Sequence, residues 1–201
     1  DDTFAVRSYV KTTPLQSLKQ LSQLSQIPVF LKNEAEQRGP SGIAGIPLGG
    51  AFKSRGVFME VYRAFEELMN SPNRQSLFEN GIKIVTQSTG NHGIAMIYAT
   101  AAAATLFARR VESTDPKLAQ VIYNTEPVVF TLAGLPDIKL KGMHEALTAY
   151  RKSINRPYQG KIDNQYASYE NALHARQDFL EQQGPQARYM DHGGQDIMVG
   201  Q

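Results

Sequence analysis

The sequence predicts an α/β fold, a mostly parallel twisted sheet with helices on both faces. Residues 82–86 form a β-rich apolar run that ends in the small-residue turn Ser88-Thr89-Gly90. An alanine-rich stretch over residues 91–109 follows, with the composition of a buried helix. Residues 128–133 are a second apolar run, and a helical pattern follows them from Pro136, whose ring suits a first helical position, to about Tyr150. Strands alternating with helices of this length argue for parallel pairing through crossover helices. In such sheets ligands bind at the carboxyl ends of the strands, which is where the turn at residues 88–90 falls.

The remaining elements are read in the same way. Residues 29–31 are a short apolar run after Pro28 and read as a strand, while the glutamine-rich residues 16–26 read as a polar helix face. Residues 38–50 hold five of the 16 glycines and two prolines, so they form a loop. From Phe52, apolar residues recur at Val57, Val61, Phe65 and Leu68, a helical stripe that stops at Asn70-Ser71-Pro72. Residues 168–183 place Ala172, Leu173, Phe179 and Leu180 at helical spacing, with Ser168 as N-cap and Gly184 as stop. Residues 187–190 read as one more strand.

With 201 residues, 41% of them hydrophobic and 20% charged, the chain can bury the core of one or two domains. Its 21 basic and 19 acidic residues leave a net charge of +2, which gives no reason to expect a nucleic acid or a membrane surface as partner. The absence of cysteine excludes a disulfide framework and thiolate metal sites, and it agrees with a cytoplasmic, reducing compartment. The longest apolar stretch, residues 93–108, is read as too short and too mild to span a membrane. The acidic start Asp1-Asp2-Thr3-Phe4 does not resemble a signal peptide.

Two segments carry chemistry. In Gly49-Gly50-Ala51-Phe52-Lys53-Ser54-Arg55-Gly56 a lysine stands among small residues, beside an aromatic and at the start of an apolar helix. Burial and the positive end of a helix both disfavour an ammonium, so this setting suits an amine that must form a Schiff base. Taken alone, a lysine among glycines is more simply a solvated loop residue. An NTPase phosphate loop fails on spacing, because Ala51 and Phe52 separate Gly50 from Lys53. In Ser88-Thr89-Gly90-Asn91-His92-Gly93, a strand-to-helix turn presents backbone N–H groups and a helix N-terminus, an arrangement that binds a carboxylate. The plainer alternative is a helix start capped by Ser88 or Thr89, with Asn91 and His92 merely polar at a solvated end. No metal is expected, since His92 has no second histidine or carboxylate at ligand spacing. His144, His174 and His192 are isolated and read as surface or packing residues.

The two segments in this order, each opening an apolar helical stretch, resemble the fold type II pyridoxal-phosphate enzymes, and within them the threonine/serine dehydratase (ammonia-lyase) branch. Thr12-Thr13-Pro14-Leu15 resembles the family's substrate-side motif, and Leu31-Lys32-Asn33-Glu34 with Gln37 resembles the strand before its lysine loop. The resemblance implies a tryptophan synthase β-like fold, with residues 1–75 in the large domain, 76–190 as the small α/β domain and 191–201 as the start of the return. It implies pyridoxal 5'-phosphate as cofactor, with Lys53 as the catalytic lysine that binds it and Asn91 as the donor to its phenolic oxygen. Ser88, Thr89, Gly90 and His92 would surround the substrate carboxylate. The implied reaction is β-elimination on serine, threonine or a related β-hydroxy amino acid to a 2-oxo acid and ammonia. The implied assembly is a homo-oligomer, a dimer being the simplest.

The sequence departs from the family pattern in four places. Residues 38–48 are inserted before the lysine, and Ala51 stands where the family carries the serine of its Ser-Phe-Lys motif. Thr89 occupies the place of the racemases' serine, and its β-branching favours elimination over racemisation. No glycine-rich loop follows Gly93, and Gly193-Gly194 is too short for a phosphate cup, so the chain is expected to hold the N-terminal part only. A catalytically incomplete fragment or regulatory pseudoenzyme, and a β-replacement enzyme of the cysteine synthase type, are the alternatives.

Overall fold

The computed structural model describes residues 7–37, 39–50, 52–70, 78, 81–154 and 160–183. An antiparallel pair, β1 (Leu15–Ser17) and β2 (Phe30–Lys32), flanks the short helix α1 (Lys19–Ser25). Residues 39–50, outside any helix or strand, precede α2 (Lys53–Asn70). The α/β part then runs β3 (Lys83–Gln87), α3 (Asn91–Val111), α4 (Pro116–Tyr123), β4 (Glu126–Leu132), α5 (Asp137–Ile154), β5 (Lys161–Tyr166) and α6 (Tyr169–Gln183).

The strands β3, β4 and β5 lie in that order in one sheet, all parallel. The pleat divides their side chains between two cores. Ile84 and Val129 join α2, α3, α4 and α5 in the larger buried cluster, whereas Val85, Val128 and Phe130 pack with Ala172 and Leu180 of α6 on the opposite face. Helices therefore cover both faces, as the alternating pattern predicts. The larger cluster takes residues from both sides of position 75.

Helix α3 is the centre of the molecule. Its alanines from Ala101 to Ala104 are fully buried, and small side chains let neighbouring helices approach closely. Phe107 meets Tyr62 and Phe65 of α2 at ring-centroid distances of 5.1 and 5.5 Å, and Arg110 lies over Phe107 at 4.8 Å while donating to the Tyr62 hydroxyl. The reading of this stretch as too short for a membrane span needs correction on length. The helix has 21 residues and is long and apolar enough by composition, but 67% of its apolar window is buried inside the protein, as befits a core helix.

Observed boundaries fall within two residues of the predicted ones for α2, α3, β3, β4 and α6, and the strand predicted at 29–31 is shifted by one. The helix predicted at residues 136–150 runs on to Ile154. Ser168 caps α6 as expected, its hydroxyl accepting from the Asn171 N–H at 3.1 Å. The sequence reading missed β1, α4 and β5. Gly184, His192, the strand read at 187–190 and the segment 191–201 lie outside the described residues.

A polar latch ties the N-terminal segment to the start of α2. The Gln37 side chain bonds both backbone groups of Lys11, Thr13 donates to Glu34 at 2.6 Å, and Arg55 meets Glu34 at 3.1 Å. The Thr13 hydroxyl, and then the Arg55 guanidinium, hold the Glu34 carboxyl below its ordinary value. A depressed folded-state value means that this contribution is present above the unfolded value and is lost as pH falls through the folded one. Melting temperatures taken downward from about pH 6 should therefore fall more steeply for the natural chain than for Glu34→Gln; parallel curves would disprove the linkage.

Candidate functional site

Gly49 decides whether the lysine loop reaches the sheet edge. A Cβ there would stand 3.0 Å from Ala95 Cα and 3.1 Å from Ser54 Oγ, so glycine lets the loop lie against the first turns of α3 without displacing its neighbours by a few tenths of an ångström. That approach brings Lys53, the first residue of α2, beside the turn that opens α3. Lys53 and residues Ser88, Thr89, Gly90, Asn91 and His92 line one cleft of about 360 Å³.

Within the turn the roles separate. The Ser88 hydroxyl oxygen accepts from the N–H groups of Gly93 at 2.8 Å and Gly90 at 3.1 Å, so it acts as the helix cap that the simpler reading anticipates. Thr131 donates to the Ser88 carbonyl from β4 and fixes the turn from the other side. His92 is buried and its Nε2 lies 3.1 Å from Thr86 Oγ1, which orients the ring back into the fold. Thr89 and Asn91 are exposed to the cleft side of the turn, and Gly90 is buried with φ 147°. Phe52, its chain neighbour, is 64% exposed, and the Lys53 amine lies 6.0 Å from its ring centre.

Three lining residues escape the sequence reading: Gln87, Lys139 and Tyr169. Lys139 lies in the first turn of α5 and Tyr169 opens α6. The first turns of α2, α3, α5 and α6 thus converge at the carboxyl edge of the sheet. Each helix N-terminus carries a partial charge of roughly +0.5, and the lining adds two lysines and no carboxylate. Lys139 is recoverable from the rule that marks the 88–93 turn, since it follows the next strand. Tyr169 is not, because β5 goes unrecognised. The motifs around Thr13, Glu34 and Gln37 do not line the cleft; they form the latch.

The lining suits an anionic ligand with a carbonyl able to condense with an amine: an approachable lysine, converging N-termini and no opposing acid. Among the described residues no three histidine, aspartate or glutamate side chains gather to hold a metal ion. A family profile described as pyridoxal-phosphate dependent enzyme matches residues 6–191. The chain belongs to this family. Its members depend on pyridoxal phosphate. No curated protein sequence matches the chain. Among solved structures, the apo form of diaminopropionate ammonia lyase from Escherichia coli is similar, with TM-score 0.54 and 15% identity over 91% of this chain. The chain spans 42% of the length of that enzyme. Identity this low carries the tryptophan synthase β-like fold and not the substrate.

Proposed function

We propose that this pyridoxal-phosphate family chain serves an ammonia-lyase of the threonine/serine dehydratase kind. The reaction is β-elimination on serine, threonine or a close β-hydroxy relative, yielding a 2-oxo acid and ammonia. The convergence of Lys53 and the 88–92 turn on one cationic cleft is the observation that carries this reading.

Bound pyridoxal phosphate supplies an electron sink for negative charge at the amino acid's α-carbon. Lys53 Nζ would hold the cofactor and, as a free amine, would take the α-proton. The backbone N–H groups at the start of α3 bind the substrate carboxylate, which fixes the α-carbon beside that amine. Ser88 keeps those groups in place by capping, Thr89 and Gly90, with the inward-turned His92 packed behind them, would shape the carboxylate's surroundings, and Asn91 would donate to the cofactor's ring oxygen. The partner is a small amino acid, within a homo-oligomer.

The test is to supply the cofactor and either serine or threonine, then to measure 2-oxo acid and ammonia. Product formation that switches to a substituted amino acid when a thiol is added would favour β-replacement instead. Binding of the cofactor without turnover of any amino acid would favour the regulatory reading. Asn91→Ala is expected to weaken cofactor binding several-fold and to shift its visible band, followed by absorbance titration; an unchanged spectrum and affinity would remove Asn91 from the site.

A further inference from the structure

Gln87 ends β3 immediately before the turn, is only 2% exposed, and its Oε1 has no hydrogen-bond partner among the described residues. An unsatisfied buried acceptor costs on the order of 1–3 kcal/mol, a cost that a donor bound beside it would remove. The pleat puts Gln87 on the face of Val85, which packs under α6, and the first residue of α6 is Tyr169. The Tyr169 hydroxyl is likewise out of solvent and without a partner among the described residues. Both residues, each carrying one such unpartnered atom, line the same cleft as Lys53.

We infer that Gln87 and Tyr169 form the specificity subsite for the substrate's β-substituent, and that it selects a neutral hydrogen-bond donor, a hydroxyl. This rests on the elimination reading above and adds to it the residues that choose the substrate. The acceptor of Gln87 demands a donor, which excludes an alkyl or halogen substituent. A β-ammonium is a donor too, but the lining offers it two lysines, four helix N-termini and no carboxylate, so its second charge is opposed. A β-hydroxyl satisfies Gln87 by donating and Tyr169 by accepting.

The test uses the protein loaded with pyridoxal phosphate, after borohydride reduction and mass spectrometry of one portion have located the cofactor on Lys53. The initial change of the visible band on mixing reports binding of serine, 2-aminobutyrate and 2,3-diaminopropionate. Serine should bind at least about tenfold tighter than either of the others, and Gln87→Met with Tyr169→Phe should bring its ratio over 2-aminobutyrate to near unity while 2,3-diaminopropionate stays disfavoured by the lysines and N-termini. Gln87→Met should also melt at or above the natural chain, because it deletes an acceptor that the fold leaves unpaired. A preference for 2,3-diaminopropionate, equal binding of all three, or a serine-to-2-aminobutyrate ratio unchanged in the variants would overturn the subsite while leaving the elimination reading intact. A lower melting temperature for Gln87→Met would make the residue structural and overturn it as well. Tyr169→Phe, at a partly exposed helix start, tests the pair separately. Absence of the Lys53 adduct would remove the elimination reading and the subsite with it.

Discussion

Borohydride reduction of the protein loaded with pyridoxal phosphate is expected to leave a phosphopyridoxyl group on Lys53, and Lys53→Ala is expected to abolish it. The chain has other lysines, so the position matters more than the adduct. Lys53 opens α2 in the cleft that also receives the 88–93 turn, and it is approachable from that cleft. Lys139 is the internal control: it lines the same space but lies against Gly90 in the first turn of α5. Peptide mapping should find the label on residue 53 and not on residue 139. Lys53→Ala should lose the covalent visible band entirely and at least about 10³-fold in turnover, the scale expected when nucleophile and base are removed together. A label that survives in Lys53→Ala, or one concentrated on Lys139, would refute the assignment.

Gly90→Ala is expected to have the next largest effect, on stability and site together. Gly90 adopts φ 147° and ψ −100°, a region that residues with a Cβ avoid, and strain there costs on the order of 1–3 kcal/mol. The added methyl would also stand 2.5 Å from Lys139 Cδ and would push that side chain aside. The flexible lysine can swing away, whereas the backbone strain has no such relief. A drop of about 2 kcal/mol should lower the melting temperature by roughly 4–8 °C in a chain of this size. The double variant Gly90→Ala/Lys139→Ala should recover the contact term but not the strain. Full recovery in the double variant, or no loss in Gly90→Ala, would contradict this account.

Much of the frame was legible because periodicity reports burial. The stripe from Val57 to Leu68, the alanines of α3 and the apolar runs of β3 and β4 each face a core, and each was recognised by its own spacing. β5 was not, because Lys161, Asp163, Asn164 and Gln165 make it a polar edge strand with an exposed face and only Asp163 buried. Helix α4 had a readable start, Asp115 capping the Leu118 N–H at 2.9 Å with Pro116 at the first position, but its eight residues carry too short an apolar pattern to stand out. The cluster at Thr13, Glu34 and Gln37 was recognised as a motif, yet its work is to tie the N-terminus to α2, which no local pattern discloses.

The chain alone determined the element types, the strand-turn-helix at residues 88–93 and the lysine that opens α2, since these follow from side-chain spacing, capping and glycine placement within a few residues. Only the tertiary structure decided that four helix N-termini meet at one sheet edge, that Ser88 caps while His92 turns inward, and that Gln87, Lys139 and Tyr169 share the cleft. These last facts depend on the pleat of β3, the approach permitted by Gly49, and the parallel register that brings distant loops to the same end of the sheet.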